Sequence, residues 1–269
     1  MTTAAVEYAE RRKPGWRTTH TVTLGLIVLA IGVVGVSLPR SGGQLAFLGQ
    51  RTVLAWLLIA GLMAAFAAVA GHGVTGLARG VLIDERHRVT LGRLQMLLWT
   101  ILVLSAYMAA ALANIGRDAG SPLSVNIPSE LWLAMGISTA SLIAAPAALQ
   151  YKERRFESSK LHNWPTEEES RFSDLFRGEE VADRDHLDLG KVQMTLFTVV
   201  LVLGYALAVG DMLGESTAPF TTLPAIDDGV VTLLAISHAG YLAKKAAPAA
   251  PHPHTLAPDE TPREPRSGR

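Results

Sequence analysis

Few side chains in this chain could do chemistry, and most sit where their chemistry is weak. Ser237 and His238 are sequence neighbours, so the hydroxyl and the imidazole do not face each other as a nucleophile and its base must. His238 falls in the middle of an apolar run, where an imidazole either relays protons or bonds a neighbouring helix. Gly71-His-Gly-Val-Thr-Gly76 has the letters of a dinucleotide fingerprint. It follows an apolar run of helix length rather than a strand, and no βαβ context surrounds it, so it reads as a turn. His252 and His254 lie in a Pro/Ala tail and could hold a metal only weakly. No metalloprotease, phosphate-loop or nucleophile-elbow motif is present. The absence of cysteine removes disulfides, thiolate zinc sites and thiol nucleophiles. The expectation is therefore no enzyme: no catalytic, cofactor-binding or metal residue, and no cofactor. A formal net charge of zero gives no electrostatic reason for a nucleic-acid partner.

The polar residues that do form a pattern are repeated at an offset of 98. Glu85-Arg-His-Arg-Val-Thr-Leu-Gly-Arg-Leu-Gln-Met-Leu-Leu-Trp-Thr100 continues to Tyr107 and matches Asp183-Arg-Asp-His-Leu-Asp-Leu-Gly-Lys-Val-Gln-Met-Thr-Leu-Phe-Thr198, which continues to Tyr205. Leu133-Ala-Met-Gly-Ile-Ser138 resembles Thr232-Leu-Leu-Ala-Ile-Ser237 after a small gap. Matching polar residues at fixed spacing indicate a duplication. Thr90 and Asp188 align where a helix should start, and either can cap it. Arg93 and Lys191 follow and can snorkel to headgroups. Gly92, Met96, Thr100, Val103 and Tyr107 form one stripe at helical spacing, and Gly190, Met194, Thr198, Leu201 and Tyr205 form its equal. Gln95 and Gln193 need hydrogen-bond partners in an apolar medium. Two readings follow. Either these residues are interhelical packing and glue, or Gln95, Gln193, Thr100, Thr198, Tyr107, Tyr205 and His238 line a polar path. No carboxylate lies mid-run, which weighs against an ion-coupled transporter.

The elements that carry these residues are long apolar runs. Of the 269 residues, 49% are hydrophobic and 18% charged, and the charges are clustered. Spanning a bilayer takes about 20 apolar residues. Six candidate runs are present: 21–38, 53–70, 94–115, 131–149, 192–210, and a weak sixth at 229–243 that spans only if it begins near Pro224. The first is too long for a cleaved signal and reads as a retained anchor. Six spans place 21 of the 24 Lys and Arg on one side and leave only Arg40, Arg51 and Arg117 on the other. By the positive-inside rule, both termini are cytoplasmic. The expected fold is all-α and polytopic: six transmembrane helices as three hairpins, the last two forming a parallel internal repeat.

The expected organisation is a disordered N-terminus at 1–19, a first hairpin at 20–71, repeat unit one at 72–150, a charged cytoplasmic loop at 151–182, repeat unit two at 183–245, and a disordered tail at 246–269. The charged loop contains Trp164 and then Arg171-Phe-Ser-Asp-Leu-Phe-Arg177. Phe172, Leu175 and Phe176 are spaced i, i+3, i+4, an amphipathic turn that either docks a partner, lies on the membrane, or folds back on the bundle. Trp164, Phe172, Leu175, Phe176 and Arg177 are the candidate docking residues.

Leu82-Ile-Asp-Glu-Arg-His-Arg88, Gly92-Arg-Leu-Gln-Met-Leu-Leu-Trp-Thr100, Leu175-Phe-Arg-Gly-Glu-Glu180, Gly190-Lys-Val-Gln-Met194 and Ile236-Ser-His-Ala-Gly-Tyr-Leu242 carry a resemblance. They resemble a family of bacterial membrane proteins that includes the CisA-type proteins of actinobacteria, associated with contractile, phage-tail-like injection systems. The resemblance covers roughly residues 80–245 and implies a cytoplasmic-membrane adaptor. On that basis the baseplate of a contractile particle docks on the inner face, and firing breaches the membrane and kills the cell. The partners expected are the lipid bilayer and a cytoplasmic protein, with a homo-oligomer left open. The alternative is a small channel or transporter along the polar path.

Overall fold

A computed structural model describes residues 16–40, 45–156, 159–215 and 218–247. The expected tails lie outside these residues except for 16–19 and 246–247. The described chain is all-α, with six helices: α1 Thr18–Arg40, α2 Leu45–Thr75, α3 Leu91–Gly116, α4 Ser129–Arg155, α5 Leu189–Glu215 and α6 Asp228–Ala246. Each contains one of the six apolar runs. Four segments are long and apolar enough to cross a membrane: Arg51–Thr75, Leu91–Gly116, Ser129–Arg155 and Leu189–Glu215. A multi-pass membrane protein follows as the plausible class.

The helices form three layers of two. α1 and α2 pair in the first, α3 and α5 in the middle, and α4 and α6 in the third. α2 lies on both middle helices, whereas α1 reaches only α3. α3 is consequently the most enclosed apolar helix. Its buried face is small: Ala106, Ala109, Ala110 and Ala113 pack against Trp56 and Ile59 of α2 and Val209 and Leu213 of α5. Close approach of small residues is how helices gain van der Waals contact where no hydrophobic driving force acts. Ala106 and Ala110 are 0% exposed, so Ala110→Leu would overpack this seam at a cost of about 1–3 kcal/mol.

Local chemistry sets the helix ends. α2 runs through Thr75 and stops at Gly76, whose φ of 78° is left-handed and whose N–H bonds the His72 carbonyl. That is a glycine C-cap. The Gly71–Gly76 element is thus the last helical turn and its cap, not the free turn that its letters suggested. Asp227 caps α6 through the Gly229 N–H, and Lys244 and Lys245 occupy its last turn, where basic residues suit the helix dipole.

The duplication has a physical counterpart. Ile83 bridges Val89 before α3, and Arg177 bridges Leu187 before α5. The Thr90 N–H bonds the Leu82 carbonyl as the Asp188 N–H bonds that of Phe176. Past the opposite helix ends, the Tyr107 hydroxyl donates to the Leu123 carbonyl and the Tyr205 hydroxyl to that of Pro224, both at 3.1 Å. The two loops at this far end also join directly. The Asn126 N–H bonds the Thr221 carbonyl and the Leu223 N–H bonds that of Asn126. The buried Asn114 amide grips Phe220 by its N–H (2.7 Å) and its carbonyl (2.8 Å).

Candidate functional site

The charged end is built from four pieces: the lead-in to α3, the last turn of α4, residues 159–188, and the facing ends of α5 and α6. Residues 159–188 fold across the bundle as a cap. Arg79 donates to the Ser170 hydroxyl and to the Glu168 and Ser170 carbonyls. The Trp164 N–H bonds the Arg86 carbonyl, and the Trp164 indole donates to Asp174 at 3.2 Å.

At the centre is Glu179, 6% exposed. Its carboxylate meets Arg86 at 2.7 Å, Lys191 at 2.9 Å and Lys245 at 3.1 Å. The neighbouring Asp188 takes Lys244 at 2.5 Å and Lys245 at 3.3 Å. Lys152 pairs with Glu180, both buried. Arg88, 1% exposed, donates to the Gly178 carbonyl at 2.7 Å. Burial alone would raise the Glu179 carboxyl, but Lys191, Lys245 and Arg86 hold it well below the usual carboxylate range. Burial likewise opposes ionisation of Asp188, and Lys245 and Lys244 outweigh it, leaving its carboxyl lowered. Breaking a buried pair of this kind typically costs about 3–5 kcal/mol, because the remaining charge is stranded.

The residues singled out from sequence have mixed fates here. Asp188 caps α5 through the Gly190 and Lys191 N–H groups. Thr90 makes no side-chain cap bond, and its hydroxyl has no partner among the described residues. Lys191 does not snorkel; it is 3% exposed and also donates to the Asp174 carbonyl. The residues around Phe172 form a short 3₁₀ turn, Phe172–Leu175. Leu175 is buried against Leu82, Val89 and Met194, and Phe176 packs beside it. The apolar side of the turn thus faces the bundle, while Phe172 stays 59% exposed. Trp164 and Arg177 are half-buried, Trp164 between the Arg171 guanidinium and the His162 ring.

The two stripes do not mirror each other. Gln95 is buried and donates to the Thr198 hydroxyl at 2.7 Å. Thr198 in turn donates to the Met194 carbonyl, which fixes the Gln95 amide with Oε1 pointing away and unpartnered. Gln193, the matching position, is exposed. Met194 is buried and Met96 exposed. Thr100 and Tyr107 are half-buried and Tyr205 buried, 6.1 Å from Trp99 between ring centres. A Cβ on Gly92 would stand 3.2 Å from the Leu142 backbone, so α3 and α4 cross tightly there. Gly190 is half-buried beside Asp188.

Sequence reasoning missed the pairing of Ser141 with His238. The Ser141 hydroxyl lies 2.6 Å from His238 Nδ1, and both are buried. A hydroxyl on an imidazole has the contact of a nucleophile with its base, but catalysis needs a third group to orient the base. Nε2 of His238 has no partner among the described residues. The pair joins α4 to α6. No metal-holding group of three or more His, Cys, Asp or Glu occurs among the described residues.

Fold and site together define a class: an all-α bundle with four membrane-capable helices, closed at one end by a buried ionic cap. No family model, curated protein or solved structure matches the chain.

Proposed function

We propose that the protein is a non-enzymatic scaffold or adaptor of the bacterial cytoplasmic membrane, spanning it six times with both termini inside. The sequence supports this orientation, since six spans put 21 of the 24 basic residues in segments on the side of the termini. α1 covers 23 residues and α6 covers 19, the latter a rod of roughly 28 Å at 1.5 Å per residue. The observation that carries the adaptor reading is the cap. A 30-residue charged loop held by buried ion pairs to the lead-in of α3 and to the ends of α4, α5 and α6 is a platform, and it presents Phe172 and Val181 at 59% and 52% exposure. At the opposite end, the described parts of the loops after α3 and α5 are short and pinned to each other. The partner we favour is the baseplate of a contractile injection system, whose firing would breach the membrane and kill the cell; the support is the residue resemblance across 80–245. The channel alternative has its central polar pair, Gln95 and Thr198, bonded to each other rather than to a solute.

The test is in-cell crosslinking and pulldown of the tagged full chain. Recovery of sheath or baseplate proteins, lost with Phe172→Ser and Val181→Ser while membrane insertion persists, would support the adaptor. Recovery of the chain alone would overturn it, and flux in liposomes would become the next measurement. Deleting the loop would not discriminate, because Asp174, Glu179 and Glu180 are part of the fold.

A further inference from the structure

A cavity of about 830 Å³ opens between the start of α3 and the last turns of α4. That volume is within the range of ligand pockets, roughly 300–1,000 Å³. Its wall changes character along its length. Met96, Leu142, Ala145 and Leu149 are apolar, while Arg93, Arg154, Glu85 and Glu153 are charged. The change falls where the apolar helices give way to the charged lead-in, which in a membrane is headgroup depth.

Three observations mark its wall as carrying polar groups without internal partners. Among the described residues, neither Arg93 nor Arg154 makes a hydrogen bond or ion pair, whereas Arg86 in the same wall is paired with Asp84 and Glu179. Gln95, 1% exposed, brings an unpartnered Oε1, and Thr90 an unpartnered hydroxyl. Pro146 has no N–H to offer the Leu142 carbonyl one turn earlier, so the regular helical bond to that carbonyl is absent in this wall. The second repeat sharpens the point. Lys191, the counterpart of Arg93, is filled internally by Glu179 and the Asp174 carbonyl. The loop before unit two supplies an anion to Lys191, and no described residue supplies one to Arg93.

We propose that this cavity binds one phospholipid of the adjoining leaflet. Its phosphodiester lies on Arg93 and Arg154, and the first part of one acyl chain runs along Met96, Leu142, Ala145 and Leu149. Glu85 and Glu153 disfavour a free phosphate dianion more than a singly charged phosphodiester, and they can receive an ammonium or hydroxyl of the head. Basic pockets between membrane helices recognise lipid heads in this way. The inference rests on the membrane reading above, which is tested separately: a chain released from membranes by alkaline carbonate would sink that reading before any lipid is measured.

Given membrane insertion, native mass spectrometry of the detergent-purified full chain decides the lipid site, with dioctanoyl phosphatidylethanolamine and inorganic phosphate as probes. The expected result is one retained lipid. Arg93→Gln with Arg154→Gln, which breaks no bond in the fold, should weaken retention roughly thirty-fold, a typical effect for two basic contacts. Ala145→Phe, which fills the apolar part, should abolish it while the chain elutes as native. No retained lipid, equal retention by all variants, or inorganic phosphate competing as well as the lipid would each overturn the proposal.

Discussion

The two ends of the repeat have diverged to different degrees. At the far end the copies remain alike: Tyr107 and Tyr205 make the same bond, and the loops after them pair directly. At the charged end the backbone bridges before α3 and α5 still correspond, but the side chains at three matched positions have parted. Asp188 caps and Thr90 does not; Lys191 is buried and Arg93 unpaired; Gln95 is inside and Gln193 outside. The far end uses neutral hydrogen bonds and the charged end uses ions. The ionic cap draws Arg86 and Arg88 from the first copy, whereas its buried carboxylates Asp174, Glu179, Glu180 and Asp188 all lie in residues 159–188.

Glu179→Ala should break this contrast most severely. It strands Lys191, Lys245 and Arg86, at a cost of about 3–5 kcal/mol, and limited proteolysis should open residues 159–188 first. At the far end, Asn114→Ala leaves the Phe220 N–H and carbonyl buried and unpaired, for about 1–3 kcal/mol, read as a lower melting temperature in detergent with the cap still protected. Gln95→Leu should cost about 1 kcal/mol, whereas Gln193→Leu, on an exposed position, should stay within about 0.5 kcal/mol. Equal effects from this pair would refute the asymmetry. Tyr107→Phe and Tyr205→Phe should cost about the same, each roughly 1 kcal/mol or less.

Acid separates the ends by another route. The Glu179 and Asp188 carboxyls are lowered in the folded protein, so their contribution is complete above the unfolded carboxylate range, about pH 4. It is lost as pH falls through the lower folded values. Hydrogen exchange in 159–188 should therefore stay slow to about pH 4 and quicken below it, while the amide protons held by Asn114 show no such step.

The apolar runs were legible because each is local. The six helices lie on the six runs, and the weak sixth begins at Asp228, four residues past Pro224. Composition misled at the charged loop. Asp174, Glu179 and Glu180 were legible only as members of a charged loop and Asp188 only as a helix cap, yet all four are buried. Their partners lie far along the chain, as Arg86 does from Glu179, and no local spacing reports such a pairing. One signal was available: Asp188 aligns with Thr90 and Lys191 with Arg93, so unit two had gained an acid next to a retained base. Ser141 and His238 were hidden for the same reason, since an interhelical bond depends on which helices are neighbours.

The bond from Gln95 to Thr198 has no twin, because Gln193 does not meet Thr100. Two copies related by a two-fold axis would make every such contact twice. Here α3 lies on α5 and α4 on α6, and the Gln95 face of α3 meets the Thr198 face of α5, a head-to-tail contact. Stacking of that kind does not close: as separate chains the units would add to one another as a ring or a filament. Joining exactly two in one polypeptide sets their number. It also frees the front of each copy to change without its back, which identical subunits could not do.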